Sequence, residues 1–121
     1  MRVIAGTAGG IRLLTPEGTG IRPTSDRARE SIFNSLHSRS AIQESEVLDL
    51  FAGTGALGIE ALSRGAKKAT FVDNSPESLE LVKENLKIYQ KMIKGYVEQY
   101  KMLNIVMSSI LLMMTHFLKK I

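Results

Sequence analysis

The sequence predicts an α/β domain built on a parallel sheet, and three observations predict it. An apolar strand-like run, "VLDLF" at residues 47–51, passes through a glycine loop into a helix-like run. A second run, "ATFVD" at residues 69–73, passes into the helix-like "NSPESLELVKENL". Strand, helix, strand, helix at this spacing is the repeating unit of an open parallel sheet. Finally, 121 residues with 44% apolar and 23% charged side chains make one ordinary globular core rather than two.

The elements follow in order. "RVIAGTAGGIRLLTPEG" places two short β-prone runs around Gly9-Gly10, a hairpin pattern in which glycine supplies the positive φ of the turn. In "TGIRPTSDRARESIFNSLHSR", Pro23 and Thr24-Ser25 announce a helix whose apolar face is expected at Ala28, Ile32, Phe33 and Leu36. The polar linker "SRSAIQESE" leads to the first strand, the loop at residues 53–58, and a helix ending near Gly65. After the second strand, Ser75 is a suitable N-cap with Pro76 at the first helical position, and Leu79, Val82 and Leu86 are expected to be buried. Three regions follow: residues 1–40 as hairpin and helix, 41–87 as a βαβα core, and 88–121 as an apolar tail. Nine of the ten glycines and all three prolines precede Leu86, whereas five of six methionines and all three tyrosines follow it. Tyr89, Ile93, Tyr96, Tyr100, Leu103 and Met107 fit alternating steps of four and three, the pattern of one long amphipathic helix.

Composition removes several chemistries. Without cysteine there is no disulfide, thiolate metal site or cysteine nucleophile, as suits a reducing compartment. His37 and His116 are too few and too far apart for a metal cluster, so no metal is expected. The first apolar run stops at Gly6, short of the roughly 7 to 15 residues of a signal peptide, and a cytoplasmic location is expected. The apolar stretch at residues 103–118 is interrupted by Ser108, Ser109, Thr115 and His116 and falls short of the ~20 residues that span a bilayer, so no membrane span is expected. The net charge of +4 is uneven. Residues 1–40 carry six arginines against three acids, residues 41–86 eight acids against four bases, and residues 87–121 six lysines against Glu98. Basic arms around an acidic middle make nucleic acid the first partner to consider.

Gly53, Gly55 and Gly58 satisfy the dinucleotide pattern GxGxxG, and Asp73 follows Gly53 by 20 residues, about where an acid meets a ribose hydroxyl. A nicotinamide cofactor is therefore one reading. Against it, Asp49 sits four residues ahead of Gly53, where a carboxylate would repel a pyrophosphate. A cofactor carrying an ammonium and a sulfonium would welcome it, and S-adenosylmethionine has both and no phosphate. "VLDLFAGTGALGIEAL" with "FVDNSPESLELVKENL" resembles the first two motifs of class I (Rossmann-like) S-adenosylmethionine-dependent methyltransferases, so the fold implied is the N-terminal half of such a parallel sheet. The resemblance implies that Asp49 faces the methionine end, that Gly53, Thr54 and Gly55 let the main chain approach, and that Asp73 and Asn74 hold the ribose side.

"MRVIAGTAGGIRLLTP", "RPTSDRARESIFN" and "DLFAGTGALGIEALSRGA", in this order, are similar to the bacterial small-subunit ribosomal RNA methyltransferase D family, over residues 1 to about 87. That likeness implies methylation of the exocyclic amino group of a guanine in 16S rRNA. It implies ribosomal RNA or the assembling small subunit as partner, gripped by Arg2, Arg12, Arg22, Arg27 and Arg29. Enzymes of this kind align the acceptor amine with an Asn/Asp-Pro-Pro-aromatic loop after the fourth strand. No proline follows Pro76 here, so no catalytic residue is assigned, and residues from about 88 onward are expected to be a truncated or frame-shifted tail lying over the bare edge of the first strand. The alternative reading is a non-catalytic module that binds S-adenosylmethionine or RNA and depends on another chain for the base pocket.

Overall fold

A computed structural model describes residues 1–16, 24–93 and 104–106. The chain order is helix α1 (Asp26–Ser38), strand β1 (Glu46–Leu50), helix α2 (Ala56–Ser63), strand β2 (Lys68–Val72), helix α3 (Pro76–Met92) and strand β3 (Asn104–Val106). The strands form one parallel sheet in the order β1-β2-β3, with Asp49 opposite Phe71 and Phe71 opposite Ile105. The parallel α/β core follows the sequence pattern closely. Among the described residues β1 is an edge strand, and its Leu48 stays 55% exposed.

The core forms where the periodicities meet. Ala69 and Phe71, two apart on β2, face Ile59 and Leu62 of α2 and Val82, Leu86 and Tyr89 of α3. The helix stripe continues to Ile93, so the change in composition after Leu86 is not a break in the helix. Gly58 lets α2 lie directly on the sheet. A Cβ there would stand 2.3 Å from the Phe71 ring.

The N-terminal hairpin is an antiparallel pair around one bridge, Arg2 with Arg12. Its turn closes from Ala8 to Ile11, with Gly10 at φ +91. Its inner residues Val3 and Leu13 join the main core. Buried polar groups fasten the rest. The Glu60 carboxylate accepts the amides of Ile4 (2.8 Å) and Ala5 (3.1 Å), Ser63 Oγ accepts the Ala8 amide, and Asn85 bonds both backbone groups of Leu14.

Two expectations are corrected here. The apolar face of α1 at Ala28, Ile32, Phe33 and Leu36 is mostly open: Phe33 is buried, but Ile32 and Leu36 are 44% and 37% exposed and line a shallow apolar groove with Leu48. The burying surface reaches only as far as Ile42, Ala61 and Ala66. The single long helix expected in the tail fails at Asn104–Val106, which pair with Thr70–Val72 as β3. An almost continuously apolar run matches helical and extended templates alike, and the β-branched Ile105-Val106 step suits a strand. The remaining tail positions, at residues 94–103 and 107–121, lie outside the described residues.

Candidate functional site

Beyond Leu50 the chain turns sharply, with Phe51, Gly53 and Gly55 all left-handed at φ +59, +57 and +81. For the two glycines this conformation is free of strain. For a phenylalanine it is a backbone outlier of the kind that clusters at functional sites. The turn leaves Ala52 bonded to the carbonyl of Val72 and delivers the chain into α2 with Gly55 as its N-cap, so no cap side chain is available.

One carboxylate and one hydroxyl supply what the glycine cap lacks. Thr54 Oγ1 accepts the Ala56 amide at 3.2 Å, and Asp49 Oδ2 reaches from β1 to accept the Gly58 amide at 3.0 Å. The first turn of α2 is thus capped from the strand, with negative charge at the helix N-terminus where it is favourable. Asp73, at the end of β2, accepts the Gly53 amide through Oδ2 and the Ser75 amide through Oδ1, both at 2.9 Å. Burial pushes the Asp49 carboxyl up to about 6, the Gly58 amide opposing the shift and the neighbouring Asp73 charge adding to it.

At the C-terminal ends of β1 and β2 this architecture encloses a crevice of ≈ 310 Å³, at the low end of the range for small-molecule sites. Phe51, Gly53 and Thr54 form one wall, Asp73, Asn74 and Ser75 another, and Thr24, just ahead of α1, also lines it. Among the described residues the lining contains one carboxylate and no lysine or arginine. Such a surface disfavours phosphates and accepts a cation with hydroxyl groups. S-adenosylmethionine fits that description, and Asp73, Asn74, Gly53 and Thr54 are the residues that would hold it.

The structure therefore brings four of the six cofactor candidates together on the crevice wall. Gly55 instead turns the chain into α2. Asp49 is corrected: it does not line the crevice but lies beneath the loop, 6% exposed, on the first turn of α2. Strand position alone gave no direction for its side chain beyond the face of the sheet. Of the RNA candidates, Arg2, Arg12 and Arg27 are exposed, and Arg22 lies outside the described residues. Arg29 is also corrected, being fully buried. It donates to the Arg2 carbonyl at 2.8 Å and pairs with Asp26, whose carboxyl burial raises but Arg29, the Arg2 amide and the terminal ammonium together hold below its usual value. Arg29 stands four residues before Phe33, the i, i+4 relation that puts both on the inner face.

Sequence reasoning missed Phe51 and Asn85, and it read Ser75 only as a helix cap and not as part of the crevice wall. The fully buried Asn85 donates to the Thr54 carbonyl at 2.9 Å while holding Leu14, tying loop and hairpin to α3. Its signal was a polar residue within the buried stripe of α3. Among the described residues no cluster of potential metal ligands occurs, and no helix is long and apolar enough to cross a membrane.

Comparison with known proteins gives a consistent set of relatives. The family model described as conserved hypothetical protein 95 matches residues 1–109. The chain is 42% identical over 104 residues to ribosomal RNA small subunit methyltransferase D of Haemophilus influenzae, covering 86% of this chain and 51% of that protein. It is 48% identical over 73 residues to the Escherichia coli protein of the same name, covering 60% of this chain and 36% of that protein. Among solved structures it superposes on a hypothetical protein of Thermus thermophilus with a TM-score of 0.71 and 31% identity, covering 89% of this chain and 55% of that one. The chain thus spans about half the length of the Haemophilus relative.

Proposed function

This chain belongs to the family described as conserved hypothetical protein 95, and from that premise we propose that its crevice binds S-adenosylmethionine for methyl transfer to the exocyclic amino group of a guanine in 16S rRNA, in the cytoplasm and on the RNA or the assembling small subunit. The motif resemblance and the names of its relatives support the reaction class. The observation that carries the reading is the charge of the crevice wall, one carboxylate and no cation among the described residues, at the strand ends where open α/β sheets bind ligands.

When bound, S-adenosylmethionine supplies an electrophilic methyl group on a positively charged sulfur. The residues of this chain bind and orient. Each Asp73 oxygen accepts one backbone amide and keeps a second lone pair, so the carboxylate can take ribose hydroxyls without releasing the loop. Gly53 and Thr54 bring the main chain close, and Asn74 extends the polar wall. Asp49 acts from beneath by fixing the start of α2. On the RNA side the proposed contacts are Arg2, Arg12, Arg22 and Arg27. The acceptor amine is the nucleophile, so the protein's share is approach and alignment.

A second reading is a module that binds S-adenosylmethionine or RNA and depends on another chain for the base pocket. Calorimetric titration tests the cofactor. Saturable binding of S-adenosylmethionine and none of NAD is expected; saturable NAD binding without S-adenosylmethionine binding overturns the assignment. Incubation with labelled S-adenosylmethionine and small-subunit rRNA separates the two readings, since transfer by this chain alone excludes the binding-only one.

A further inference from the structure

We propose that Arg2 and Arg12 act as one unit, a pair of guanidinium groups that closes on a single phosphodiester of the RNA backbone. The proposal rests on the RNA reading above and adds which chemical group the hairpin takes and how.

The bridge geometry carries it. The Val3 amide donates to the Ile11 carbonyl and the Leu13 amide to the Met1 carbonyl, both at 2.9 Å. Arg2 and Arg12 are therefore the antiparallel pair lying between those bonds, with no backbone hydrogen bond from one to the other. In such a pair the Cα atoms approach to about 4.5 Å and both side chains leave on the same face. The other face is fixed in the core by Val3 and Leu13, so Arg2 and Arg12 must point outward, and both are exposed.

Two like charges directly opposite one another are the unfavourable choice for a cross-strand pair. Nothing among the described residues relieves it. Asp26, the acid that reaches Arg2, bonds the Arg2 amide and pairs with the buried Arg29, and neither outward guanidinium has an acidic partner among the described residues. The platform beneath is also immobilised, by Arg29 on the Arg2 carbonyl and by Glu60 and Ser63 on the amides of the turn. A pair of planar cations on a fixed backbone, each able to donate a two-pronged hydrogen bond, is matched by an anion with oxygens on two sides, and a phosphate has that shape. Among the described residues both arginines stand open to solvent, with nothing to desolvate a free ion, so the phosphate the pair fits is one held in a polymer.

Fluorescence anisotropy of the full chain with a short labelled single-stranded RNA of mixed sequence tests this. Arg2→Ala and Arg12→Ala are each expected to weaken binding about tenfold, and the double variant hardly more than either, because one guanidinium alone does not close on the phosphate. Arg12→Lys, which keeps the charge and loses the fork, should fall between. Melting midpoints at low salt should hold or rise as the repulsion is relieved. Three results would overturn the proposal: losses that multiply to about a hundredfold in the double variant, the mark of independent contacts; unchanged RNA affinity in both single variants; or a fall in midpoint that accounts for the loss. Displacement of the RNA by inorganic phosphate at low concentration would also overturn it, by making this a small-anion site. If the parent chain holds no RNA, the RNA reading itself falls; if it does and the variants match it, only the paired contact falls.

Discussion

In the glycine loop, Asp49 and Asp73 turn their carboxylates inward onto the amides of Gly58, Gly53 and Ser75; on the hairpin, Arg2 and Arg12 turn outward while carbonyls across the strand pair take the neighbouring amides. The crevice is a shape made of backbone, with charged side chains as its supports. The hairpin is a display of side chains, with backbone as its support. Substitutions in the first region should therefore change stability and ligand binding together, whereas substitutions on the hairpin surface should separate them.

The largest effect is expected where the hairpin loses its seat. A Cβ on Gly6 would stand 1.9 Å from the Ser63 carbonyl oxygen, at a φ of +87 that a side chain rarely adopts. Backbone cannot yield as a flexible side chain can, so Gly6→Ala should destabilise the fold by about 4 kcal/mol in urea denaturation. A loss below about 1 kcal/mol would mean that the display is not rigidly mounted. Next is Gly58→Ala, whose Cβ meets the fully buried Phe71 ring at 2.3 Å; about 3 kcal/mol is expected, with part recovered when Phe71 is also replaced by leucine.

The supports of the crevice predict a pH effect of definite sign. Asp49 titrates near 6 in the folded chain against 3.8 in the unfolded one, so the folded state binds the proton more tightly. Its contribution is fully present below pH 3.8 and is lost as pH rises through about 6, a fall of roughly 2 to 3 kcal/mol across that window. Asp49→Asn keeps an acceptor for the Gly58 amide and should flatten this component of the stability profile. A profile unchanged by the substitution would place the titration elsewhere. The smallest effect expected is a gain. Phe51 is 72% exposed in a left-handed conformation, and Phe51→Gly should raise stability by about 1 kcal/mol while weakening S-adenosylmethionine, because the ring forms part of the crevice wall. A loss of stability instead would mean that the ring packs more than its exposure indicates.

Much of this arrangement could be read from the residues alone. Ser25 and Ser75 cap α1 and α3 as their positions indicate, each accepting the amide three residues on. Gly53, Thr54, Asp73 and Asn74 converge because strand ends in a parallel sheet lie side by side, a property of topology rather than of any single contact. What escaped depended on direction within an element. Asp49 and Arg29 were placed on the right strand and helix, yet each side chain is turned toward an interior partner that spacing does not name. Phe51 escaped because a bulky residue gives no local sign of a positive φ. β3 escaped because a run apolar on every face has no period to read.

The buried Glu60 carboxylate joins residues more than fifty positions apart, holding Ile4 and Ala5 to the middle of α2. Such a contact must wait for α2 to exist, and closing so long a stretch of chain carries an entropic penalty before any bond rewards it. Residues synthesised earlier than the helix are thus among the last to find their place. While the chain is being made, the arginine-bearing hairpin stays unanchored until α2 has emerged and folded, so the paired arginines gain a fixed backbone only after the strand and loop that lead into that helix.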